Sequence, residues 1–180
     1  YLRASGWPFV ISCIANSSWI FAWHYGFFPL SLAFMLTLLI SLAIIYLRLE
    51  PMFANGTTVE RWTTHIPFRI YLGWITVATI ANTTIMLYNQ GWRGMPLTET
   101  QWAAIMIVVA TLVGLWFALR LRDAVYTLVL VWAFVGIYAK QNDASLVANT
   151  SFAFAALLGL AALYAIWQRM YRTEAHSPAA

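Results

Sequence analysis

Residues Pro67–Trp92 read PFRIYLGWITVATIANTTIMLYNQGW, and the pattern in this stretch decides the fold. No charge falls between Arg69 and Gln90, so the run is long enough to cross a hydrocarbon core. Tyr71, Trp74, Ala78 and Asn82 recur at intervals of three, four and four, which sets them in one stripe of a helix. The stripe is aromatic, then small, then polar, unlike a plain lipid-facing run of leucines. Asn82 falls mid-span, where an amide costs free energy unless another helix or a ligand hydrogen-bonds it.

Composition extends this reading to the whole chain. With 62% hydrophobic and 9% charged residues, a soluble domain could not cover its surface. The expectation is an all-α, polytopic transmembrane bundle. Ten Trp and nine Tyr suit helix ends anchored at the headgroups. A single cysteine, Cys13, rules out an internal disulfide and a cysteine-based metal cluster. The net charge of +4 is scattered over helix ends and is no nucleic-acid footprint.

Six apolar runs are legible: about Trp7–His24, Phe27–Leu47, Phe68–Asn89, Trp102–Leu119, Ala124–Ala139 and Leu146–Trp167. Tyr25-Gly26 joins the first two as a tight hairpin link. Thr57–His65 reads as a short amphipathic helix lying at the interface, with Trp62 pointing inward. Thr98 to Gln101 reads as a capping box opening the fourth run, and Arg120, Arg122 and Asp123 as a short solvated turn. With six spans, Arg3, Arg48, Arg61, Arg69, Arg120, Arg122, Arg169 and Arg172 share one side, leaving Arg93 and Lys140 on the other. That bias places both ends in the cytoplasm of a bacterial-type inner membrane, as a multi-pass protein. The sequon at Asn55 would then go unused. Ala110, Gly114 and Ala118, and likewise Ser151, Ala155 and Gly159, read as helix-packing seams.

On the first helix, Asn16, Trp19 and Trp23 repeat the three-four spacing, with Ser12 one turn earlier. Together with Tyr71, Trp74, Ala78 and Asn82 they either pack helices through amide bonds or wall a cavity for a flat, mostly apolar ligand. His24 is a candidate axial ligand for a tetrapyrrole metal or a solvated interface residue; His65 is equally open, and His176 is incidental. No two histidines stand at a metal-ligand spacing, so no metal and no obligate cofactor is expected. All six carboxylates (Glu50, Glu60, Glu99, Asp123, Asp143, Glu174) sit in loops or at helix ends, which leaves no intramembrane acid for a proton relay or protease. The segment Leu160, Tyr164, Arg169 matches a sterol-type pattern that arises readily by chance.

These residues carry a resemblance. YLGWITVATIAN resembles the last transmembrane helix of the TspO/translocator family, the tryptophan-rich sensory proteins, whose form is P-Y-L-x-W-x-x-F-A-x-x-L-N. Tyr71, Leu72, Trp74, Ala78 and Asn82 fall on that motif; Ile70, Val77 and Ala81 depart from it, standing for Pro, Phe and Leu. IANSSWIFAWHYG resembles the family's third helix, L-N-x-x-W-S-x-x-F-F, through Asn16 and Trp19, with Ile20 for Ser and Trp23-His24 for the Phe pair. The resemblance covers about residues 5–92, so residues 1–92 are expected to form a TspO-like three-helix region and 93–180 an appended three-helix region with a cytoplasmic tail. It also implies two further helices before residue 1, carrying the family's W-x-P-P signature.

What the resemblance implies about function is binding of a hydrophobic planar ligand. A tetrapyrrole (porphyrin, haem or chlorophyll-type) or its precursor would serve a sensory, regulatory or transport role. Asn16, Trp19, Trp23, Tyr71, Trp74, Ala78 and Asn82 would be the wall. No covalent step is expected, although light-dependent porphyrin breakdown belongs to the family. The alternative is a non-catalytic accessory subunit of a photosynthetic or respiratory membrane complex, reusing the fold to pack against other subunits or a second copy.

Overall fold

The computed structural model describes residues 2–53, 56–94, 96–141 and 145–175. Asn55, Asp143 and His176 lie outside them. The described residues are all helical or in short links, and the chain divides into two compact units, Tyr1–Met95 and Pro96–Ala180.

The first unit holds α1 (Leu2–His24), α2 (Phe28–Leu49) and α3 (Ile66–Asn89). Helix α1 is interrupted at Gly6, whose φ of 33° only glycine adopts without strain. The break puts Pro8 in the first turn of the regular segment, where its missing N–H matters least. At the other end Gly26 takes a φ of 74°, and the Phe27 amide donates back to the Ala22 carbonyl at 2.9 Å. This Schellman closure turns the chain directly into α2. Helix α2 buries Ser31, Met35, Leu38, Leu42, Ile45 and Leu49 along one three-four stripe, and Ser41 and Tyr46 beside it. Both α1 and α3 pack on α2.

Two polar contacts fix the register between α2 and α3. Near the start of α2, the Ser31 hydroxyl donates to Asn82 Oδ1 at 3.1 Å. At its end, Glu50 forms an ion pair with Arg69, which is fully buried. The Arg69 guanidinium also lies 4.2 Å from the Phe53 ring centroid and 5.7 Å from that of Tyr46. These rings and the carboxylate replace the water that a buried cation would otherwise lose.

The segment before α3 corrects the expected interfacial helix. Thr57 and Glu60 form a capping box, and the chain winds through Thr58–Glu60 and a π-helical turn at Arg61–His65 straight into α3. A π turn is wider than an α turn, which gives the Pro67 ring room it would lack against the carbonyl four residues back. Thr58–Asn89 is therefore one helical run of 32 residues. At 1.5 Å per residue it extends about 48 Å, well beyond a hydrocarbon core of roughly 30 Å. Trp62 does not point inward; it is 67% exposed, whereas His65 is the buried residue of that turn and meets Phe53 edge-on.

The second unit holds α4 (Glu99–Leu119), α5 (Ala124–Lys140) and α6 (Ser145–Ala175), each packed on the other two. Thr98 and Gln101 cap α4 reciprocally, as the sequence predicts. The seam on α4 is Ala110, Gly114 and Ala118, all buried, and a Cβ at Gly114 would lie only 2.9 Å from Leu158 Cδ2. On α6, Ser151 and Ala155 are buried, but Gly159 faces open space; the close-packed stripe continues through Leu158, Ala162 and Ala165 instead. The turn between α4 and α5 is also corrected. Asp123 is wholly buried and caps α5 by accepting from the Tyr126 amide at 3.1 Å, while Phe117 stacks on Tyr126 at 3.6 Å. Arg122, at a φ of 53°, turns outward to donate to Gln168 at 2.7 Å.

Among the described residues, four runs are long and apolar enough to cross a membrane: Phe28–Met52, Thr58–Asn89, Glu99–Leu119 and Leu146–Tyr171. Ala124–Lys140 is a shorter apolar helix of 17 residues. The protein is a multi-pass helical membrane bundle.

Removing only one partner of the Glu50–Arg69 pair strands a buried charge or its counter-ion. Glu50→Gln should lower unfolding stability in mild detergent by about 2 kcal/mol, whereas Glu50→Gln with Arg69→Leu should recover most of it. Thermal unfolding of the single and double variants checks this; equal losses in both would contradict the role of the pair.

Candidate functional site

Helices α1 and α3 both lean on α2, and they touch each other at one end, where Phe9 meets Phe68 edge-on at 6.0 Å. Farther along, a cavity of about 330 Å³ opens between them. Its lining comes from Trp19 and Trp23 on α1 and from Trp74, Val77, Ala78, Ala81, Asn82 and Ile85 on α3. The α3 residues recur at three and four, as a helix face must.

The aromatic side of this cavity is built by contacts among its own rings. Trp19 and Trp23 lie 6.0 Å apart and tilted by 32°, and Trp23 meets Phe28 of α2 edge-on at 5.4 Å. Offset and edge-on arrangements of this kind are favourable for aromatic quadrupoles and hold the indoles in place. Trp74 is 46% exposed and forms the rim.

The polar groups of the site are few. Asn82 is 2% exposed, its Oδ1 held by Ser31. The Ser31 hydroxyl also reaches the Phe28 carbonyl at 2.9 Å, so its single proton is shared in a three-centre bond. Asn82 Nδ2 and Trp19 Nε1 are buried donors with no hydrogen-bond partner among the described residues. Both nitrogens are covered by protein, and the surface that the cavity presents is almost wholly apolar.

Of the seven wall residues predicted from sequence, Trp19, Trp23, Trp74, Ala78 and Asn82 line the cavity, while Asn16 and Tyr71 are half-buried and do not. Each lies one helical turn before a lining residue, so the stripe is right in phase but begins a turn late. His24 is exposed, stands edge-on to Tyr25 at 5.1 Å and is not part of the lining. Sequence reasoning missed Val77, Ala81, Ile85 and Ser31. Val77 and Ala81 were visible as the two places where a smaller residue stands for the Phe and Leu of the motif. Their smaller side chains leave the cavity its width.

These features define a helical membrane protein with an aromatic-walled cleft between parallel helices. A family model described as TSPO-like protein matches residues 1–164, and the chain belongs to that family. The match runs well past the two motifs and takes in α4, α5 and most of α6. Comparison with curated proteins and with solved structures gave no match.

The Ser31–Asn82 bond links α2 to α3, and Asn82→Leu removes it while leaving Ser31 the Phe28 carbonyl. Asn82→Leu should therefore cost about 1 kcal/mol in thermal unfolding. No loss in that variant would contradict its part in holding the two helices in register.

Proposed function

We propose that this protein binds a flat, mostly apolar ligand in the cleft between α1 and α3. The role is sensory, regulatory or transporting, with no covalent chemistry. The observation that carries the reading is the cavity itself: three indoles around about 330 Å³ of almost wholly apolar space. Stacking on Trp19, Trp23 and Trp74 supplies affinity. The open rim at Trp74 admits the ligand sideways from the bilayer, where an apolar molecule is already concentrated. A tetrapyrrole or its precursor is the class that family membership favours, and the flat indole walls suit one edge of such a macrocycle. His24 follows the lining residue Trp23 but is not itself part of the lining.

Titration of purified protein with protoporphyrin IX, followed by tryptophan fluorescence, tests the proposal. Saturable quenching is expected in the native chain. Trp74→Ala should weaken it about 10-fold through loss of one stacking face. Quenching that rises linearly, and equally in the variant, would mean simple partitioning into detergent and would overturn the binding role.

A further inference from the structure

Arg122, in the turn between α4 and α5, holds a backbone conformation that arginine seldom takes. Its φ of 53° is the one positive value outside glycine among the described residues. The turn requires it, because the Asp123 amide folds back to donate to the Phe117 carbonyl at 3.0 Å. Glycine would fit there without strain, so the backbone gives no reason for an arginine. The side chain supplies one. Arg122 Nε donates to Gln168 Oε1 at 2.7 Å, and Gln168 Nε2 donates in turn to the Tyr164 hydroxyl at 2.7 Å. This chain ties the turn to α6 and orients the guanidinium. The bond to Gln168 is its only one among the described residues, which leaves the two terminal nitrogens as a fork of donors. Arg120 is exposed and has no partner among the described residues. Asp123 is wholly buried, caps α5 and pairs with neither arginine.

From this arrangement we infer that the corner formed by the α4–α5 turn and α6 binds the phosphate of an anionic phospholipid. The Arg122 fork matches two phosphate oxygens, and Arg120 adds a second positive charge. Depth fits a lipid. Gln168 stands three residues before the end of the apolar run Leu146–Tyr171, so the fork is held about 4.5 Å inside that end, at headgroup level. Below it α6 exposes Trp167, Tyr164, Leu163 and Leu160, one lipid-facing stripe along which an acyl chain can lie. Tyr164 stacks on Trp167 at 5.9 Å, and Trp167 meets Tyr171 at 4.7 Å, a short aromatic belt beside the fork. A free phosphate offers the same oxygens but nothing to cover this stripe. A zwitterionic headgroup brings an ammonium towards two unpaired cations.

Native mass spectrometry of the whole chain in mild detergent, titrated with phosphatidylglycerol or with phosphatidylcholine of the same acyl chains, counts the lipids retained. Phosphatidylglycerol should bind about 10-fold more tightly. Arg122→Gly relieves the backbone while removing the fork, and Arg120→Gln changes an exposed side chain, so both variants should melt close to the native chain. Each should weaken phosphatidylglycerol about 5-fold. Arg93→Gln, which removes an exposed charge from the first unit, should leave it unchanged. Excess glycerol phosphate should not displace the lipid. Equal retention of the two lipids, undiminished retention in both Arg122→Gly and Arg120→Gln, or an equal loss in Arg93→Gln would overturn the inference. Displacement by glycerol phosphate would make the corner a site for a free phosphate and overturn the lipid as its occupant.

Discussion

The first unit depends on the buried stripe of helix α2, on which both α1 and α3 pack. In lipid, apolar side chains gain nothing by leaving the solvent, so helices associate through close packing and through polar contacts. Leu38 and Ile45 are completely buried and Met35 and Leu42 nearly so, which gives both neighbours a continuous surface to pack on. Packing alone would allow α3 to slide along α2. Ser31 with Asn82 at one end, and Glu50 with Arg69 at the other, fix the register because a slip of one turn would strand both pairs. The same register sets Trp74, Ala78 and Asn82 opposite Trp19 and Trp23.

The cleft is a consequence of that arrangement. Two parallel helices leaning on a common third diverge wherever their facing side chains are too small to meet. Phe9 and Phe68 meet; Val77, Ala78 and Ala81 do not fill the space to Trp19 and Trp23. The gap is walled by indoles and small aliphatic side chains, and the surface it presents is almost wholly apolar.

Much of the fold is legible in the sequence because transmembrane helices are written in long uncharged runs. Each of the six runs became a helix with ends shifted by a few residues, and the Thr98 cap and the Gly26 turn carried their own local chemistry. Charged positions were harder. Arg69 reads as a helix-end charge on the cytoplasmic side, yet it is buried, because Glu50 and two aromatic rings from distant sequence stand in for water. Asp123 reads as part of a solvated turn, yet its carboxylate faces inward to cap α5. Thr57–His65 has the amphipathic composition of a surface helix, and only the π turn, invisible in periodicity, makes it continuous with α3. In the candidate site, the stripe of Trp74, Ala78 and Asn82 follows from spacing alone. Ser31 does not, since nothing in a serine near a helix start says which residue 51 positions away it will meet.

The account rests on the claim that a planar aromatic molecule occupies the space between α1 and α3 in preference to the rest of the lipid-facing surface. Photo-crosslinking with benzophenone, an aromatic ketone that inserts into nearby C–H bonds when irradiated, tests it most directly. The membrane-embedded protein is irradiated at limiting probe and the adducts are mapped by mass spectrometry. The account predicts adducts concentrated between Trp19 and Trp23 and between Trp74 and Ile85, and lost when Val77→Phe and Ala81→Leu fill the cleft. Adducts spread over outward-facing side chains such as Phe21 and Leu47, in proportion to their exposure and indifferent to that filling, would contradict it.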